Sequence, residues 1–179
     1  MPVGDRKLTM DELGPIGPEA YRTMPKRRVR ILLDDVRSRH NVGSIFRTAD
    51  AFGLEGIALC GFTPLPPHRE IEKTALGATL SVPWTHAPVT MEAIIALKQE
   101  GYRVIAVEQT VAAIPLGEWR PVPHEPLALI FGNELNGVSD EVIDACDHCL
   151  MVPQSGTKHS LNVAVCAGIV LWQAVGVGN

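Results

Sequence analysis

Six short apolar runs alternate along this chain with stretches whose apolar residues return every three or four positions. The runs are Arg30–Asp34, Gly56–Cys60, Ser81–Trp84, Tyr102–Val107, Leu127–Phe131 and Leu150–Pro153. Runs this short, flanked by glycine, proline or asparagine, read as strands buried on both faces. Between the first two, Asn41 reads as an N-cap, and Val42, Ile45, Phe46, Ala49 and Phe52 follow at helical spacing until Gly53 stops them. Further helical pieces are expected at Arg69–Leu76 and after Thr90, the expected cap of MEAIIALKQE, which ends at Gly101. Ser139 is expected to cap a short helix whose Asp140 and Glu141 suit its positive end, and Ser160 to open the last helix. Strand and helix in alternation predict an α/β fold with a mostly parallel sheet.

The chain has 179 residues, 46% of them hydrophobic, enough for one domain with a full core and no staples. Residues 1–28 are polar and broken by Gly14, Pro15, Gly17 and Pro18, so they read as a basic, partly ordered extension ahead of a domain at 29–179. No apolar run reaches the roughly 20 residues of a membrane span, and MPVGDRKLTMDELG has no signal-peptide core. The expectation is a soluble cytoplasmic protein. Of Cys60, Cys146, Cys149 and Cys166, the middle two form a CxxC, but no second pair completes a zinc site. They read as incidental thiols at an element boundary, and no metal is expected.

The formal net charge is −4, yet Arg22, Lys26, Arg27, Arg28, Arg30, Arg37, Arg39 and Arg47 crowd into one stretch against only Asp34 and Asp35. A basic segment on an acidic protein can draw phosphates locally, or can simply be a solvated arm. From Ser160 to Val175 there is no charged residue at all. A helix apolar nearly all round must be covered on most faces, either by its own subunit or by a second copy of the chain.

Three stretches carry polar groups that core packing explains poorly. In HNVGSIFRTADAFG, Arg47 stands among Ile45, Phe46 and Ala49, placed to clamp an anion or to snorkel at a helix edge. In LALIFGNELNGVSDE, a strand runs into Gly132, Asn133, Glu134 and Gly137. The glycine spacing mimics a P-loop, but Val138 stands where the lysine must be, and no GxGxxG follows a strand elsewhere. Glu134 is placed to pair with Arg47 across the sheet edge. In VPQSGTKHSLNVAVCAGI, Asn162 sets one amide into the first turn of the apolar helix.

Together the three stretches resemble the motifs of the SpoU-type RNA 2′-O-ribose methyltransferases, a branch of the SPOUT superfamily that includes TrmH. The matching residues are N-x-G-x-x-x-R-x-A at Asn41–Ala49, FGNE-x-x-G-V at Phe131–Val138, and VP…SLNVAVCAGI at Val152–Ile169. KTALGA at Lys73–Ala78 is similar to a further family segment. The resemblance implies a six-stranded sheet with a C-terminal deep trefoil knot, which periodicity cannot foresee because chains as a rule do not knot.

It also implies a homodimer that transfers the methyl group of S-adenosylmethionine, without a metal, to a ribose 2′-hydroxyl of tRNA or rRNA. The small size favours tRNA. By motif, the donor lies against Val107, Phe131, Gly132, Asn133, Val152, Pro153, Gln154 and Leu161. Asn41, Arg47, Glu134, Ser160 and Asn162 then form the catalytic set, with Arg47 reaching the site across or beside the subunit interface. Lys26, Arg27, Arg28, Arg30 and Arg39 are the expected RNA contacts. Two alternatives stay open: an idle RNA-binding or assembly protein on the same fold, and a methyltransferase with a different acceptor.

Overall fold

The computed structural model describes residues 6–14 and 16–176, so residues 1–5 and Pro15 of the N-terminal extension and residues 177–179 lie outside it. Its strands are β1 (Arg27–Asp34), β2 (Leu54–Cys60), β3 (Trp84–Ala87), β4 (Arg103–Val107), β5 (Ile114–Pro115), β6 (Leu127–Phe131) and β7 (His148–Met151). Its helices are α1 (Met10–Leu13), α2 (Pro18–Thr23), α3 (Arg39–Ala51), α4 (Arg69–Ala75), α5 (Ala78–Ser81), α6 (Thr90–Gln99), α7 (Asp140–Ala145) and α8 (Val163–Ala174). None is long and apolar enough to cross a membrane among the described residues.

The strands form one sheet in the order β3-β2-β1-β6-β4-β7-β5, and every pair is parallel. The sheet has seven strands rather than the expected six. The extra one is two residues long: Ile114 and Pro115 fall in register beside Leu150 and Met151, inside a proline-rich stretch too short to carry a periodicity. The inner strands β6 and β4 are apolar and buried almost throughout, as both faces are covered. One face packs Ile31, Leu33, Leu129 and Ile105 with Ile45 and Phe46 of α3 and Val170 and Leu171 of α8. The other packs Leu32, Ala106 and Ile130 with Ile94 and Leu97 of α6 and Val142 of α7.

Several boundaries differ from the sequence reading. The cap of α3 is Ser38, whose hydroxyl accepts from the Asn41 N–H; Asn41 itself lies inside the first turn. Asn162, not Ser160, caps α8, accepting from the N–H groups of Ala164 (2.9 Å) and Val165 (3.3 Å). Thr90 is the first residue of α6 rather than its cap, and its hydroxyl goes to the buried carboxylate of Asp34. Ser81 ends α5, so the strand there begins only at Trp84. Ahead of β1, Tyr21 of α2 is buried against the core.

Two close approaches fix where the first helix sits. A Cβ on Gly43 would lie 2.2 Å from the Ile71 carbonyl, so α3 and α4 touch backbone to backbone there. After α4 the chain reverses through Leu76 and Gly77, both at positive φ. The strand order runs outward from β1 in both directions, and ligands of open parallel sheets bind in the crevice at the carboxyl ends beside such a reversal.

Candidate active site

Leu33, Phe131, Val107 and Leu150 stand level on neighbouring strands, so the loops that follow β1, β6, β4 and β7 rise from one edge. Three of these loops enclose a cavity of about 480 Å³. Its lining includes Val107, Phe131, Gly132, Asn133, Val152, Gln154 and Leu161, seven of the eight residues expected to hold a donor. Pro153, the eighth, is exposed and does not line it. Glu134, Ser160 and Asn162 line the same cavity.

Side chains lace the loops together. Asn133 closes the turn after β6: its side-chain oxygen accepts from Leu135 N (2.8 Å), and its backbone exchanges two hydrogen bonds with Gly137. Its amide also donates to the Asp35 carbonyl (2.7 Å), binding that turn to the loop after β1. A Cβ on Gly132 would fall 2.2 Å from the Gly137 carbonyl carbon, so glycine is required where the turn folds over itself. Glu108, just past β4, accepts from Val138 N (3.0 Å) and Gln109 N (2.8 Å), while the Gln109 amide donates to the His159 carbonyl (2.6 Å).

The three motif stretches meet in one hydrogen-bonded line. Glu134 accepts from Arg37 N (2.9 Å), Ser38 N (3.0 Å) and the Asn41 amide (2.9 Å). The Asn41 side-chain oxygen in turn accepts from the Asn162 amide (3.0 Å), and Asn162 caps α8 with its own oxygen. Partial burial pushes the Glu134 pKa upward, but the donors from Arg37, Asn41 and Ser38 outweigh it and hold the carboxyl below its usual range. The position at the start of α3 also suits a negative charge.

Arg47 is not part of this line. Glu134 is already occupied by donors from α3's start, and Arg47 lies six residues beyond Asn41, roughly 9 Å along the helix at 1.5 Å per residue. The expected Arg47–Glu134 pair is therefore absent among the described residues. Arg47 is exposed instead on a separate groove that it shares with Tyr21, Asp50 and Leu80.

The expected RNA contacts divide. Arg39 begins α3 next to Ser38, whose N–H donates to Glu134 in the cavity wall. Lys26, Arg27 and Arg28 stand at the opposite end of β1, roughly 23 Å away for seven residues of strand, and Arg30 lies partway along it. They have local partners. Lys26 lies over the Tyr21 ring, Arg27 donates to the Val175 carbonyl (2.6 Å), Arg28 stacks on Tyr102, and Arg30 faces Glu55 and Glu100.

Sequence reasoning missed Glu108, Gln109, His159 and Asp35. Only the first had a signal, as a carboxylate directly after an apolar strand. All four cysteines are free, and no cluster of metal-ligating side chains occurs among the described residues.

Residues 28–172 match the model of the SpoU rRNA Methylase family. A relative from Staphylococcus haemolyticus, named for the TrmH family of tRNA/rRNA methyltransferases, is 32% identical over 144 residues, covering 80% of this chain and 56% of its own. The chain thus spans little more than half the length of that relative. The AdoMet-bound rRNA methyltransferase from Sinorhizobium meliloti superposes with a TM-score of 0.78 at 30% identity, over 86% of this chain and 59% of that one. A solved chain described in terms of 2-OH methylation of C/U34 on tRNA gives a TM-score of 0.72 at 26% identity, over 82% of this chain and 93% of that one.

Proposed function

The chain belongs to the SpoU rRNA Methylase family, and on that premise we propose that it transfers the methyl group of S-adenosylmethionine to a ribose 2′-hydroxyl of tRNA or rRNA, working as a cytoplasmic homodimer. The observation that carries this reading is the line Glu134–Asn41–Asn162, which joins all three motif stretches beside one cavity. The match over 93% of a chain tied to tRNA 2-OH methylation supports the ribose and favours tRNA. Four free cysteines suit a reducing compartment.

The cavity fits the donor. Its volume of about 480 Å³ lies within the roughly 300–1,000 Å³ of small-molecule sites. Apolar Val107, Phe131, Val152 and Leu161 alternate with loop backbone in its wall. When bound, the donor would supply a methyl on a sulfonium, its carbon–sulfur bond breaking as a carbon–oxygen bond forms, so that sulfur would leave as a neutral thioether and the hydroxyl proton would pass to a nearby acceptor or to solvent. With a neutral leaving group, the barrier lies in alignment and in handling that proton. Asn41, Glu134 and Asn162 hold the loops in register, and Ser160 completes the rim. Arginine stays charged, so Arg47 acts by stabilising the developing alkoxide rather than as a base.

Its distance from the cavity of its own subunit supports placing that action in the partner's site. A stripe of exposed Val165, Ile169 and Trp172 on α8 is the surface for such a pairing, and Trp172 meets Phe52 at the end of α3 that carries Arg47. The trefoil knot belongs to the same reading. β7 lies beyond β4 while α8 returns to pack beside α3, so the segment between them crosses the carboxyl ends of β4 and β6. RNA reaching from Arg39 to Lys26, Arg27, Arg28 and Arg30 must span the height of the sheet, which a folded RNA can do.

The test is methyl transfer from labelled S-adenosylmethionine to unmodified total tRNA and, separately, to ribosomal RNA, with nucleoside analysis and an Arg47→Ala control. The expected result is a labelled 2′-O-methyl nucleoside that the variant does not produce. Donor binding without transfer to either RNA favours an idle RNA-binding protein, and label on a base favours a different acceptor.

A further inference from the structure

We propose that Phe62 is a stacking platform for an unpaired nucleobase next to the nucleotide in the active site, a reading that rests on RNA being the substrate. Phe62 is 66% exposed, whereas its neighbour Thr63 is 2% exposed. The loop is built to hold it that way. The Thr63 hydroxyl donates to the Leu33 carbonyl (2.9 Å) and accepts from Val36 N (3.1 Å), pinning the loop after β2 to the end of β1. Phe62 N donates to the Asp35 carboxylate (2.9 Å). Gly61 turns the chain at φ 59°, and a Cβ there would strike that carboxylate at 1.9 Å. A loop fixed at the residues on both sides of an aromatic ring, yet leaving the ring in water, is poorly accounted for by core packing.

The same Asp35 ties the ring to the site. Its side chain holds Phe62, while its carbonyl accepts from the amide of Asn133, which lines the cavity. One residue therefore positions the aromatic ring relative to the donor cavity. The surroundings suit a phosphate backbone. Arg37 and Arg39 follow Asp35, and Arg69 opens α4 directly after the loop. All three are exposed, and none forms an ion pair among the described residues, unlike Arg30 of β1. An exposed ring on a loop tied to a segment rich in exposed, unpaired guanidinium groups offers the means by which single-stranded RNA is held, stacking and charge. It commits the substrate to a loop or other unpaired region at the methylated position, because a base held in a duplex cannot reach the ring.

The experiment compares the unaltered protein with Phe62→Ala, Phe62→Leu and Phe62→Trp, using whichever of tRNA or ribosomal RNA the unaltered protein methylates. The readouts are RNA Kd, KM for RNA, S-adenosylmethionine Kd and elution volume. The expected result is a weakening of RNA binding by roughly 5- to 100-fold in the Ala variant. The Leu variant should stay weak because it keeps the apolar bulk without a π face, and the Trp variant should bind as the unaltered protein does. Donor affinity and elution volume should not change. RNA binding unchanged in Phe62→Ala overturns the platform alone. So does full rescue by leucine, or a shift in elution volume, which would assign the ring to a contact between copies of the chain. No methyl transfer to RNA by the unaltered protein overturns the functional reading and the platform with it.

Discussion

Replacing Glu134 by Gln looks conservative, and the structure says it should not be. The carboxylate offers only acceptors, and it faces three donors: Arg37 N, Ser38 N and the Asn41 amide. Glutamine keeps one oxygen and turns an NH₂ group toward an N–H, so at least one donor loses its partner. Hydrogen bonds to a charged group contribute about 1.5–3 kcal/mol each when sheltered. Here the residue is exposed and water can replace part of the loss, so about 1–2 kcal/mol for the whole set is the appropriate scale. For a chain of this length that corresponds to a fall in Tm of roughly 2–8 °C.

Glu134→Ala should fall by the same amount, and Glu134→Gln by no less. Because the folded pKa of Glu134 is lowered, its contribution is complete above the ordinary carboxylate value of about 4.3 and is lost as pH falls through the lower folded value. The gap in Tm between unaltered and alanine proteins should therefore persist at neutral pH and close on acidification. Scanning fluorimetry across pH reads both. A Glu134→Gln protein with unaltered Tm and donor affinity at pH 7 would refute the reasoning, since it would mean the charge and its second oxygen hold nothing.

Other substitutions follow from the same geometry. Asn162→Ala removes the cap of α8 and the bond to Asn41, and should lower stability by about 1 kcal/mol while weakening donor binding in calorimetry. Gly132→Ala forces a methyl into the Gly137 backbone and should abolish donor binding, checked by the same titration. On the proposed pairing of two copies through α8, Ile169→Glu together with Trp172→Glu should give a monomer in sedimentation and remove transfer as well, since Arg47 would then reach no partner's site. Replacing Arg37 and Arg39 by Ala should flatten the salt dependence of RNA binding more than replacing Arg28 and Arg30, whose charges already face Tyr102, Glu55 and Glu100. Binding measured at several salt concentrations separates the two pairs.

What could be read in advance was whatever is encoded locally. Leu127–Phe131 was legible as a strand to the residue because an apolar run between Pro126 and Gly132 admits little else. The cavity wall was legible for a different reason: its loops carry motifs that match a family, so Phe131, Gly132, Asn133 and Gln154 came with positions attached. Caps were misassigned where two polar residues stood close together. Ser38 and Asn41, or Ser160 and Asn162, can each cap a helix; Glu134 from another loop takes the Asn41 amide, and Asn41 in turn binds Asn162. Asp35 was not legible because its partners lie about 25–100 residues away, and Glu108 showed only as a carboxylate directly after an apolar strand, with its bond to Val138 hidden 30 residues downstream. Arg47 was legible as a motif residue but not as a neighbour of Glu134, since sequence order says nothing about which side of a helix the carboxylate approaches.

β1 sits beside β2, its near neighbour in the chain, and also beside β6, which is made about 100 residues later. The order in which the molecule can assemble follows from this. The half from β1 to β3 can form from local contacts, but β6 cannot dock until most of the chain exists, and the segment after β7 has no floor to rest on until β6 and β4 are beside β1. Loop closures of that size are slow. The site should thus be the last part of the molecule to appear during refolding and the first to be lost, so that recovery of ligand binding lags recovery of helical signal.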